Sequence, residues 1–116
     1  MDEYDAKKYF NQAAHALQTL GKSHPNAMKG FQEFMGNVKK DGVLSRKVKE
    51  LIGIALSIVK RCKFCVAWHV KYALEAGATR EEIIEASIQR EIRKTSRRRI
   101  PRTAEKAQRK RSNRNI

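Results

Sequence analysis

Between Ser45 and Cys62 the chain carries Val48, Leu51, Ile52, Ala55, Leu56 and Val59 at three- and four-residue spacing, and Ile54 and Ile58 widen the same face. That is the period of an α-helix, and an apolar face this broad has to be covered from more than one side. Ser45 stands before the run as an N-cap candidate, and Lys60-Arg61 sit at its end, where cations favour the helix dipole. The expectation is a helix over residues 46–61, the most buried of the molecule, with other helices packed around it.

The flanking sequence supplies those partners. From Tyr4 to Leu20 the residues Tyr9, Phe10, Ala13, Ala14, Ala16, Leu17 and Leu20 recur at helical spacing, and Gly21 reads as a stop. His24-Pro25-Asn26 breaks the pattern; Met28, Phe31, Phe34, Met35 and Val38 then form a second stripe ended by Asp41-Gly42, read as core or subunit interface. A further helix starts around Cys62–Cys65 and continues through Val66, His69, Val70, Ala73 and Leu74 to Gly77, a left-handed cap. Trp68 and Tyr72 on this helix read as packing or pocket wall. Thr79 and Glu82 form a capping box that opens a helix through Ile83, Ile84, Ala86 and Ile88. Nothing signals a strand hairpin, so the fold class expected is all-α, a small bundle of about five helices.

Charge divides the chain. Of its 26 basic and 12 acidic residues, residues 1–86 hold 14 and 10, whereas residues 87–116 hold 12 and 2. The expected organisation is a helical domain over 1–88 and an Arg/Lys-rich tail over 89–116. The tail can extend the last helix through Ile84, Ile88 and Ile92, but Pro101 ends it and residues from about 97 have almost nothing to bury. Such a run attracts phosphate backbones without sequence choice, because it lacks aromatic residues to stack on bases. A non-catalytic helical protein binding nucleic acid through this tail is therefore the rival functional class, and only the tail would make that contact.

The longest uncharged apolar run, Leu51 to Val59, is nine residues, against about 20 for a membrane-spanning helix. The acidic start Met1-Asp2-Glu3-Tyr4-Asp5 lacks the features of a secretory signal, which points to the cytoplasm. A helical body of this size buries only roughly 60–65% of its unfolded surface, so packing against further copies is expected.

The two cysteines, Cys62 and Cys65, are too close to staple distant parts of a fold. At a helix start, free N–H groups and the dipole favour the thiolate, and a second cysteine one turn in can form a reversible disulfide. His69, four residues after Cys65, shares its helical face and can take a thiol proton. Glu50, on the preceding helix, can fix the tautomer of His69 if the two meet. Two other readings stay open at this level: an inert buried pair, and part of a zinc site, for which Cys62, Cys65 and His69 supply three of four ligands. His15 and His24 read as surface or loop residues.

Glu50, Cys62-x-x-Cys65, His69 and the stretch Leu74-Glu75-Ala76-Gly77-Ala78-Thr79-Arg80-Glu81-Glu82-Ile83 together resemble the alkylhydroperoxidase D-like, carboxymuconolactone decarboxylase superfamily. The resemblance covers about residues 44–86. It implies an all-helical protein assembling as trimers or hexamers, and a peroxidase or thiol–disulfide oxidoreductase needing no bound cofactor or metal. Its partners would be a hydroperoxide and an external dithiol or protein reductant. Carried over, Cys65 corresponds to the peroxidatic thiol, Cys62 to the resolving or exchange thiol, His69 to the base and Glu50 to its relay partner. Two departures stand out. Phe64 occupies a position where some such peroxidases have a further relay histidine. After Ala86, where the superfamily continues with an apolar helix, this chain has the basic stretch Gln89–Arg99; a divergent tail and a shifted reading frame are the two origins for it.

Overall fold

A computed structural model of the protein describes residues 4–91 and 109–114. Within them the chain forms α1 (Ala6–Ser23), α2 (Pro25–Lys39), α3 (Arg46–Val59), α4 (Lys63–Glu75) and α5 (Arg80–Ile88), then a 3-10 turn over Gln89–Glu91. No strand occurs among the described residues, and the fold is all-α. Residues 109–114 are helical and exposed, while the expected break at Pro101 lies outside the described residues.

Helices α1, α3, α4 and α5 start where a side chain answers their free N–H groups. Asp5 accepts from the Lys8 N–H, Ser45 from Val48, and Cys62 Sγ from Cys65. Thr79 and Glu82 make the reciprocal capping box. Helix α2 begins on Pro25, whose missing N–H costs nothing at a first helical position.

The ends differ from expectation in two places. Helix α1 runs through Gly21 to Ser23; the break falls at His24 (φ −135°, ψ 69°), because a residue preceding proline is pushed out of helical geometry. Helix α3 stops at Val59, two residues short of Arg61. Arg61 takes φ 57°, and the N–H groups of Arg61 and Cys62 donate back to the carbonyls of Ile58 and Ser57. The same reversal recurs at Gly77 (φ 90°), with bonds from Gly77 to Leu74 and from Ala78 to Ala73. Both are left-handed helix terminations that satisfy the last carbonyls.

Helix α3 lies at the centre, packed chiefly on α4 and then on α5, while α1 lies along α4 and α2 folds back on α1. Ile54, Ala73 and Ala78 form the buried core, backed by Leu51, Ile58, Val70 and Ile83. The small Ala73, wholly buried against Ile54, lets α4 approach α3 closely. As expected, α3 has the most buried residues of the described helices, but its inward face is Glu50, Ile54 and Ser57. Val48, Ile52 and Leu56, expected to line the covered face, are 36%, 45% and 58% exposed. The period of α3 marks an apolar face, but in this chain the side turned inward is a neighbouring one, where Ile54 joins the core, Glu50 is held by Lys39 and His69, and Ser57 satisfies its hydroxyl on the Gly53 carbonyl of its own helix. Phe31 and Phe34 are also exposed and contribute nothing to the core of this chain.

Candidate active site

The Schellman-type turn at Lys60–Cys62 ends α3 and places Cys62 as the N-cap of α4. Its Sγ accepts from the Cys65 N–H at 3.2 Å and is joined to Cys65 Sγ in a disulfide, with the Cα atoms 5.2 Å apart. Cys65 is exposed and Cys62 half-buried. Helix α1 and the residues that lead into it support this corner, since the Tyr4 hydroxyl donates to the Lys63 carbonyl at 2.9 Å and Tyr9 of α1 packs edge-on against Phe64. Burial, followed by the neighbouring Tyr9, pushes the Tyr4 hydroxyl above its ordinary value, against an opposing backbone hydrogen bond at Ala67.

One turn beyond Cys65, His69 faces α3. Its Nδ1 lies 2.8 Å from Glu50 Oε2, and Glu50 is 1% exposed. The other carboxylate oxygen accepts from Lys39 Nζ at 2.9 Å, and the same ammonium lies 3.3 Å from His69 Nδ1. Both oxygens of a buried carboxylate are therefore engaged, as burial of a charge requires. With Glu50 ionised, Nδ1–H donates to it and Nε2 is left as the nitrogen with a free lone pair. The ring approaches α3 only because residue 53 is glycine: a Cβ there would lie 2.6 Å from Nδ1 and 2.9 Å from Cγ.

Of the residues singled out in the sequence, Glu50 meets His69 across the α3–α4 pair, and Cys62 meets Cys65. His15 and His24 are exposed. Among the described residues no group of three or more histidine, cysteine and acidic side chains is arranged to hold a metal ion. Two members of the arrangement were missed. Lys39 arrives from the last turn of α2, which no spacing rule connects to Glu50; the only hint is the short link between α2 and α3. Gly53 had a clearer signal, because glycine inside an apolar helix costs about 1 kcal/mol relative to alanine and so asks for a packing reason.

Beside this arrangement, α1, α2, α3 and α4 enclose an open cavity of about 720 Å³ with Trp68 and Tyr72 in its wall and Lys39 and Glu50 at one end. No described helix is long and apolar enough to cross a membrane.

Comparison with known proteins places this geometry. The model of the carboxymuconolactone decarboxylase family matches residues 25–98. An uncharacterized protein of Cupriavidus necator is 40% identical over 81 residues, covering 70% of this chain and 72% of the relative. The crystal structure of the apo form of a carboxymuconolactone decarboxylase family protein from Legionella pneumophila superposes with a TM-score of 0.66 at 33% identity, over 70% of this chain and 72% of that one. A protein from Methanobacterium thermoautotrophicum superposes at 0.58 with 32% identity, over 65% of this chain and 84% of that one. With the family model spanning more than half of its length and a solved family member sharing its fold, the chain belongs to the carboxymuconolactone decarboxylase family.

Proposed function

We propose that the protein is a thiol peroxidase of the alkylhydroperoxidase type, working through Cys62 and Cys65 with His69 as base and Glu50 as the group that orients it. The observation that carries this reading is a disulfide at the N-terminus of α4, one helical turn before a histidine held by a buried carboxylate. In the dithiol state His69 takes the proton of Cys65. The thiolate then attacks a hydroperoxide oxygen: an S–O bond forms as the O–O bond breaks, and the leaving alkoxide takes the proton and departs as alcohol. Cys62 thiolate next attacks the sulfenic sulfur, forming the disulfide and releasing water. An external dithiol returns two electrons and two protons by exchange. Cys65 is the more exposed residue, so the reductant enters there and Cys62, at the N-cap, leaves as the stabilised thiolate. The exposed apolar stripe Val48, Ile52 and Leu56 supports a homo-oligomer in which other copies cover it.

The deciding experiment follows the reduced protein with cumene hydroperoxide by mass spectrometry with a sulfenic-acid trap. Wild type should form the intramolecular disulfide, Cys62→Ser should accumulate sulfenic acid at Cys65, Cys65→Ser should do neither, and His69→Ala should slow the first step by roughly 10²–10⁴-fold. Thiols that stay reduced at millimolar peroxide would overturn the proposal.

A further inference from the structure

The cavity beside the relay has an uneven lining. Leu17, Met28, Phe31, Met35, Trp68 and Tyr72 make most of its wall, and its polar end gathers Lys39, Lys40, Arg46 and Glu50. Glu50 is fully engaged by Lys39 and His69. That leaves two cations. Among the described residues neither Lys40 nor Arg46 has a carboxylate at ion-pair distance from its side chain, and the half-buried Arg46 guanidinium lies 5.6 Å over the Tyr72 ring. A partly desolvated guanidinium at the end of an apolar chamber calls for an anion, and its planar fork suits a carboxylate.

We infer that the cavity binds an amphipathic monocarboxylate, its acid group on Arg46 and Lys40 and its hydrocarbon body along Leu17, Met28, Phe31 and Met35. A neutral apolar molecule would fill the chamber and leave Arg46 unanswered. A second copy of this chain is the poorer match, because its helical body, with 14 basic and 10 acidic residues through position 86, is itself net positive. The site needs no thiol, so it stands apart from the peroxidase reading; its occupant would lie against Trp68 and beside the Lys39–Glu50 pair.

Trp68 is the sole tryptophan of the chain and lines the cavity, so it reports directly on occupancy. The full-length oxidised protein is titrated with decanoate and, separately, with decanol, both below their aggregation limits, while Trp68 emission is followed. Decanoate should shift the emission saturably, and decanol should bind about tenfold more weakly or worse. Arg46→Met should raise the decanoate Kd about tenfold, with Arg46→Lys, which keeps the charge but not the planar fork, recovering only part of it, whereas Lys60→Gln, just past the end of α3 and outside the cavity lining, should leave it unchanged. Equal binding of decanol and decanoate, an unaltered Kd in Arg46→Met, or no response of Trp68 would each overturn the inference. Emission that follows protein concentration while decanoate is inert would identify a second copy as the occupant and overturn it as well.

Discussion

The imidazole of His69 lies directly against Gly53, so close that a single methyl group on α3 would sit 2.6 Å from Nδ1. Helix α3 thus contributes two things to the same ring: the carboxylate of Glu50 that holds it and, one turn on, the absence of a side chain that admits it. Gly53→Ala tests the pairing. Alanine raises helix propensity, yet the clash should force the ring or the helix to move, costing about 1–3 kcal/mol in urea denaturation. The rate of disulfide formation with peroxide should fall at least about tenfold, as for loss of a supporting contact to a working histidine. A variant that is more stable and equally fast would show that the ring has another seat.

Lys39 holds the oxygen of Glu50 that His69 leaves free. Lys39→Met keeps the aliphatic stem and removes the ammonium, leaving a buried carboxylate with one oxygen unpartnered. The expected loss is about 1–3 kcal/mol of stability, and Glu50→Gln in the same background should return part of it, because the buried charge is gone. Urea titrations of the two single variants and the double variant give the coupling; simple additivity would mean that the contact contributes nothing.

At the surface, Glu82 is held below its ordinary 4.5 first by the Thr79 backbone N–H and then by Lys47. A carboxyl with a lowered folded-state value contributes stability above its unfolded value and loses it as pH falls through the folded one. The stability difference between wild type and Glu82→Ala should therefore be largest near neutral pH and shrink as the pH drops below 4.5. Thermal midpoints measured from pH 7 to pH 3 check this, and a difference constant over that range would contradict it.

The outward stripe of α3 gives a fourth test. Ile52→Glu combined with Leu56→Glu places charges on two side chains that are 45% and 58% exposed in the single chain. Light scattering after size exclusion should report an assembly of several copies for wild type and a monomer for the variant, with helical circular dichroism retained. An unchanged assembly would locate the subunit contact elsewhere.

How much of this was legible beforehand follows from the range over which each interaction acts. Caps are local, so Ser45, Thr79 with Glu82, and Gly77 are readable from three or four neighbouring residues. His69 and Cys65 share a face by helical period alone. Glu50 was assigned through the register of a motif, since in isolation it is one acidic residue among lysines 47 and 49; its burial depends on which face of α3 meets α4. The period of α3 marks an apolar face but not which neighbour covers it, and the stripe at 48, 52 and 56, which it marks for burial, points out of the single chain. Lys39 belongs to a third helix, and its approach to Glu50 depends on an interhelical angle that no local pattern encodes.

Cys62 performs two tasks with one atom, ending the exposed N–H groups of α4 and sharing the bond to Cys65. Electron transfer at this sulfur is therefore also a change in how the helix is terminated: a freed thiolate is a stronger acceptor for the Cys65 N–H than a disulfide sulfur, so reduction tightens the first turn of α4 even as it cuts the covalent loop. Serine is a good helix cap, so exchanging this thiol for a hydroxyl separates the two tasks, removing the disulfide while keeping the helix end. The couple and the fold thus meet at a single atom, and only the couple can be removed there without losing the helix end.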